Sequence, residues 1–362
     1  MNRMNLCFFS GDITRSGGTE RVAILIANEL NKDERYKVSF VSLTENKKDT
    51  FFKLDENIQR NVLYKEEVKG LTHILGYINR LKKVVKSNNI DALIDIDGII
   101  DIYSIPVKWL TGVKVISWEH FNIYHHPNQK MRSYVRKFAV KYLDAIVTLT
   151  EQDKRYYNEE LKFKCPIKAI CNPVIDRKKD NIYNKSSKVI ISVGRLTYQK
   201  GFDRLVDVAE IVLKKHSDWK WLVFGEGEDY AELQKSINEK KLSNNLKLMG
   251  NVNNIEEQYR ESSIFVMTSR FEGLPMTLLE AKSYKLPIVS FDIKTGPREC
   301  VLDEVNGYLV QDENIKLLSD RICDLVEDDK KRINFSQHAL DNTEKFDINK
   351  IVDEWKMLLN SI

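Results

Sequence analysis

Lys188-Val189-Ile190-Ile191-Ser192-Val193 is an apolar run broken by one serine. Gly194-Arg195-Leu196-Thr197-Tyr198-Gln199-Lys200-Gly201 follows at once, and then Phe202-Asp203-Arg204-Leu205. The run reads as a strand buried on both faces, the polar stretch as a loop at its carboxyl end, and 202–216 as an amphipathic helix. The same grammar extends in both directions. Apolar runs at 219–224, 245–249, 264–268, 287–291 and 307–310 come after it, and runs at 5–9, 37–43, 90–94, 113–118, 144–149 and 167–171 come before. Amphipathic stretches at 19–31, 71–87, 129–142 and 228–241 lie between them. This alternation predicts an α/β protein with parallel sheets covered by helices on both sides.

The alternation pauses once. Residues 172–187 are polar and aperiodic and contain Pro173, which reads as a linker. It divides the chain into two Rossmann-like domains, 1–172 and 187–346, with a terminal amphipathic helix over 347–362 expected to pack back on the first. A length of 362 residues suits two domains. With 42% hydrophobic and 30% charged residues, the chain has enough apolar content for two cores. No apolar run reaches the roughly 18 residues of a membrane span, and the first residues make a poor signal peptide. The five cysteines are odd in number and lack CxxC spacing, which argues against a disulfide framework and for a reducing cytoplasm.

The net charge of +4 hides an asymmetry. Residues 1–180 hold 31 Lys and Arg against 23 Asp and Glu, so the first half carries +8 and the second −4. The first half suits an anionic partner, unless the excess is compositional drift; no nucleic acid is expected. Within it, 129–142 reads as a helix with Met131, Tyr134, Val135, Phe138 and Tyr142 on one stripe and Lys130, Arg132, Arg136, Lys137 and Lys141 off it. Two readings stand. The stripe packs on the sheet below a solvated basic face, or the helix rests on an anionic membrane.

Three segments carry chemistry. Ser16-Gly17-Gly18-Thr19-Glu20-Arg21 places a glycine pair before a helix, where backbone can approach an anion. Arg195 and Lys200 are two loop cations at a strand end, a geometry suited to a diphosphate; replacing either is expected to leave folding little changed. Phe271-Glu272-Gly273-Leu274-Pro275-Met276-Thr277-Leu278-Leu279-Glu280-Ala281 puts Glu272 before a helix, Pro275 in its first turn and Glu280 inside it. Glu280 among Leu278, Leu279 and Ala281 needs a polar partner, for which a ribose or sugar hydroxyl would serve.

In order and spacing these three segments resemble glycosyltransferase family 4, whose members have the GT-B fold and retain anomeric configuration. The resemblance spans nearly the whole chain. It implies that Arg195 and Lys200 hold a nucleotide-sugar diphosphate, Glu280 takes the ribose and Glu272 meets the donor sugar. The amides of Gly273, Leu274, Met276 and Thr277 would line phosphates and sugar, Gly17 and Gly18 would close over the diphosphate, and Val252 would meet the base. His120 matches a histidine beside the sugar, although His125 and His126 follow closely. The resemblance implies transfer from a nucleotide-sugar, with UDP the majority habit, to a saccharide acceptor. A polyprenyl-diphosphate-linked acceptor in bacterial surface-polysaccharide synthesis would suit the basic first half. No cofactor or metal is expected: Asp95-Ile96-Asp97 is a D-x-D, but it ends a strand in the other half from the clamp. The place is cytoplasmic, with peripheral attachment to the inner membrane face as an extension. A non-catalytic partner subunit and a sugar-nucleotide epimerase of the same fold are the alternatives. A nicotinamide oxidoreductase is disfavoured, since GxGxxG is missing after the first strand.

Overall fold

A computed structural model describes residues 3–66, 68, 72–124, 130–162, 164–174 and 183–362. Residues 175–182 of the expected linker, Leu71 and Gln129 at the starts of two expected helices, and His125 and His126 lie outside the described residues. The chain forms two compact units, 1–173 with 348–362, and 174–347. It therefore passes between them twice. Of the expected linker, residues 183–187 are tied to the second unit: the Tyr183 hydroxyl donates to the Ser263 carbonyl at 2.9 Å, and Arg332 donates to the Lys185 carbonyl at 3.2 Å.

The first unit holds β1 (Met4–Ser10), β2 (Tyr36–Ser42), β3 (Gln59–Val62), β4 (Ala92–Ile96), β5 (Lys114–Trp118), β6 (Ala145–Thr148) and β7 (Ile167–Ala169). They form one sheet in the order β3-β2-β1-β4-β5-β6-β7, with parallel pairing throughout. The second unit holds β8 (Val189–Val193), β9 (Lys220–Phe224), β10 (Leu246–Gly250), β11 (Ile264–Met267), β12 (Ile288–Asp292) and β13 (Gly307–Gln311). Their order is β10-β9-β8-β11-β12-β13, again parallel. Each sheet reverses its winding once, between β1 and β4 and between β8 and β11. At such a switch point the flanking loops diverge to opposite faces and leave a crevice at the carboxyl ends of the strands.

The helix Ile348–Leu359 belongs to the first unit. Its fully buried Trp355 meets Trp118 at the end of β5, edge to face, with centroids 4.8 Å apart. Lys356 pairs with Asp33 at 3.0 Å.

The helix Lys130–Tyr142 does not pack by its apolar stripe, the first of the two readings. Its buried residues are Arg132, Val135, Arg136, Ala139 and Val140. Of the stripe, only Val135 turns inward; Met131, Tyr134, Phe138 and Tyr142 are exposed. The reason is electrostatic. Arg136 donates through Nε and Nη2 to both oxygens of Glu119, at 2.9 and 3.1 Å, and Arg132 grips Asp97 with both Nη atoms, at 2.5 and 2.9 Å. Two paired arginines beneath the helix outweigh the apolar preference of the stripe, because an unpaired buried Glu119 would cost more than exposed aromatics do. Glu119 is 2% exposed. Gly98 makes room for it, since a Cβ there would lie 2.3 Å from its Oε1.

Candidate active site

The switch point of the second unit brings together two loops more than seventy residues apart in sequence. After β8 the chain runs through Gly194–Thr197 into a short helical turn, Tyr198–Lys200, and then the helix Phe202–Lys215. Gly201 sits at φ +63, and a Cβ there would lie 2.3 Å from the Thr268 carbonyl oxygen, so glycine lets the two loops touch. After β11 the chain runs through Thr268–Pro275 into the helix Met276–Ser283. The amide of Arg270 donates to the Gln199 carbonyl at 2.8 Å, and Gln199 Nε2 donates to the Phe271 carbonyl at 3.1 Å.

On this frame Lys200 Nζ donates to Glu272 Oε1 at 2.6 Å, with the side chains 19% and 7% exposed. The Glu272 backbone is fixed too, its carbonyl accepting the Thr295 hydroxyl at 2.5 Å. Arg195 is exposed and makes no ion pair among the described residues. Two helix N-termini open beside these groups, at Gly201 and Pro275, and no side chain caps either. Pro275 occupies the N-cap rather than the first turn, with extended backbone at φ −74 and ψ 103. Gly273 and Leu274 are buried, and Met276 and Thr277 half-buried. Uncapped amides, helix dipoles and cations at one corner make an anion-binding surface with a carboxylate at its centre.

Glu280 is half-buried rather than sealed among its apolar neighbours, and it accepts the Tyr259 hydroxyl at 3.0 Å. Tyr259 is itself stacked on Tyr284, centroids 5.2 Å apart. Val252 follows β10 and is 38% exposed.

In the first unit, Gly17 is the N-cap of the helix Gly18–Asn31. The loop before it is knotted by buried Asp12, which accepts from the amide and hydroxyl of Thr14 at 2.8 and 2.6 Å and from the Asn46 amide at 3.2 Å. His120 follows β5, buried, with its ring 4.6 Å from that of Trp118. Burial pushes its pKa down to about 3, against a smaller opposing pull from Glu119. The D-x-D does not present two carboxylates together. Asp97, at φ +82, is held by Arg132, while Asp95 is fully buried and burial raises its pKa to about 7. Among the described residues, the group spaced like metal ligands is His216, Cys323 and Glu327. It lies at the far end of the helix Phe202–Lys215 from Lys200, about 20 Å along the axis. There Glu327 is already held by Lys215 at 2.6 Å.

Residues 175–341 match the family described as "Glycosyl transferases group 1", and residues 16–177 match "Glycosyltransferase Family 4". A glycosyltransferase of Haemophilus influenzae is 33% identical over 352 residues, covering 97% of this chain and 99% of its own. The chain is a family 4 glycosyltransferase. The amylovoran biosynthesis glycosyltransferase AmsD of Erwinia amylovora is 30% identical, covering 96% of this chain and 97% of its own. The crystal structure of HepE from Anabaena, in complex with UDP and glucose, matches with a TM-score of 0.81 at 17% identity, over 99% of this chain and all of that one. The GT-B fold follows, two parallel-sheet α/β domains in one chain.

Three residues of this candidate site escaped sequence reasoning. Thr295 reaches Glu272 from the loop after β12, and the Thr295-Gly296-Pro297 turn at a strand end was the available signal. Arg270 stacks on Tyr198, 4.1 Å from the ring centroid, and pairs with Asp203 at 2.5 Å, bracing the loop that carries Lys200. Tyr259 orients Glu280 and carries no sequence mark. The folded glycosyltransferase should keep His120 neutral from its ordinary value of 6.5 down towards about 3. Below 6.5 the unfolded chain binds the extra proton and the folded one does not, so this group withdraws stability as pH falls through that window. Ring resonances of His120 that stay fixed through mildly acid pH are the expected result; titration near 6.5 would contradict it.

Proposed function

We propose that this glycosyltransferase moves a hexosyl or N-acetylhexosaminyl group from a UDP-sugar to a saccharide on polyprenyl diphosphate, with retention, during synthesis of a bacterial surface polysaccharide. The observation that carries the reading is the meeting of Lys200, Glu272 and two uncapped helix N-termini beside exposed Arg195. Positive charge fixed in advance stabilises a leaving diphosphate better than solvent can. Arg195 and Lys200 hold that diphosphate, with the amides of Gly273, Leu274, Met276 and Thr277 lining it. Glu280 takes the ribose, Val252 the base and Glu272 the donor sugar, and His120 has a sugar-binding role in the first unit. Gly17 and Gly18 take a phosphate-binding role. The AmsD name supports a polysaccharide product, and UDP with glucose in HepE supports the donor class.

The reaction is a front-side displacement. The bond from the anomeric carbon to the diphosphate oxygen breaks, a bond to the acceptor hydroxyl oxygen forms on the same face, and the acceptor proton passes to the leaving phosphate. Glu272 and Glu280 bind and do not attack. UDP release from a panel of UDP-sugars should require a glycan acceptor, with a product heavier by one sugar residue. Release that ignores the acceptor, or none with any acceptor extract, would count against transfer. UDP at a hundredfold its dissociation constant should add about 2.7 kcal/mol of stability.

Transfer needs no metal in this reading, which the engagement of Asp97 by Arg132 and the burial of Asp95 support. Activity should survive excess EDTA. Loss restored by Mg²⁺ or Mn²⁺ would sink the idea. The enzyme's place is the cytoplasm; among the described residues no helix is long and apolar enough to cross a membrane.

A further inference from the structure

The face that the helix Lys130–Tyr142 turns away from the first unit's core is unusual in composition. Met131, Tyr134, Phe138 and Tyr142 recur at spacings of three and four and so form one ridge. All are exposed, Tyr134 by 60% and Phe138 by 50%. Phe138 stacks on Tyr142 with centroids 6.0 Å apart, and Trp109, from the helix Asp101–Thr111, meets Tyr142 edge to face at 5.2 Å. Trp109 is itself 59% exposed, and Leu110 beside it is exposed too. The ridge thus continues across two helices. Lys130, Lys137 and Lys141, all exposed, form a second row alongside it, and Lys137 Nζ lies 6.0 Å from the Tyr134 ring centroid. The helix itself contains no acidic residue. The next carboxylate along the chain, Asp144, is taken up by Lys108 and Lys114.

We infer that this face docks on an anionic lipid bilayer, lying in the headgroup plane. Tryptophan and tyrosine rings suit that plane, being apolar in body and polar at the edge. A lysine row beside an apolar ridge is the pattern of an interfacial helix, with the lysines facing anionic headgroups. A second copy of the chain suits the face less well. Two-fold pairing through it would bring lysine rows together with no carboxylate of this helix to answer them. The inference does not depend on the acceptor, and its test contains no sugar.

The test is co-sedimentation of the whole protein with vesicles of phosphatidylcholine alone and of an equal mixture with phosphatidylglycerol, at low and high salt. Two variants accompany it, K130Q/K137Q/K141Q and W109S/Y134S/F138S. All six positions are exposed, so both should keep the wild-type melting temperature. The mixed vesicles should bind the protein at low salt and release most of it at high salt. The lysine variant should lose roughly 10²-fold in partitioning at low salt, about 1 kcal/mol of attraction being lost per lysine. The aromatic variant should lose binding at both salt levels. No binding to either vesicle, equal binding to both, or binding that neither variant changes would overturn the inference. Sedimentation equilibrium showing a dimer that the aromatic variant dissociates would also overturn it and make the face a contact between copies.

Discussion

Arg195→Ala and Lys200→Ala should each lower turnover by about 10²–10³-fold, the loss seen when one preorganised electrostatic donor is removed, and only the second should also lower stability. The expectation that loop cations are dispensable for folding holds for Arg195, which is exposed. It does not hold for Lys200, whose ammonium is the partner of a Glu272 side chain only 7% exposed. Losing it takes a charged partner from a nearly buried carboxylate, at a cost of about 1–3 kcal/mol. Adding Glu272→Gln to Lys200→Ala should recover most of that stability and none of the activity. Denaturant unfolding and UDP release, measured on the three variants, separate the two effects. Equal stability of the single variants would mean that the pair contributes nothing to the fold. Wild-type turnover in both would remove the cations from the site.

A larger loss of stability is expected in the first unit. Arg136→Ala takes from buried Glu119 its two hydrogen-bonded contacts and leaves it Arg132, at 3.7 Å, and breaking a buried pair in this way costs up to about 3–5 kcal/mol. Burial alone would push the Glu119 carboxyl up; Arg136 and Arg132 more than reverse this and hold it below its usual value. Arg136 also donates to the carbonyls of Ile123, at 2.6 Å, and Asn122, at 3.2 Å, so it secures the chain just beyond His120. The double variant Arg136→Met with Glu119→Gln removes both charges and should recover much of the loss, since buried pairs are replaceable by neutral groups. Recovery in urea unfolding would identify the weakened pairing of the carboxylate as the cause. An Arg136→Ala variant as stable as wild type would deny the network any stabilising role.

These two pairs also mark where sequence reasoning stops. Parallel strands buried on both faces read as apolar runs, and each expected run corresponds to an observed strand. Gln59-Arg60-Asn61-Val62 carries no such signal because β3 is an edge strand with one neighbour, β2, and little burial. The helix Glu151–Glu160 is nearly all polar; it is set by the Thr150 hydroxyl accepting from the Asp153 amide at 3.0 Å, a local event that periodicity does not register. For the helix Lys130–Tyr142, spacing told which residues share a face. It could not tell which face looks inward, because that was decided by Asp97 and Glu119, on other elements. The order of the motifs put Arg195, Lys200, Glu272 and Glu280 forward as one candidate group. That Lys200 and Glu272 bind each other followed only from the strand order, which sets β8 beside β11.

The return of the helix Ile348–Leu359 to the first unit has a consequence for biosynthesis. Chains fold as they leave the ribosome, earlier domains first. Here the earlier domain waits for residues 348–359: Trp118 has no Trp355 to cover it, and Asp33 no Lys356, until the whole second unit has been translated. The nascent first unit must persist through that interval with an apolar surface bare beside the strand that leads to His120. A translation product stopped at residue 173 should therefore stay soluble only with chaperone help, and adding residues 348–362 in trans as a separate peptide should rescue it.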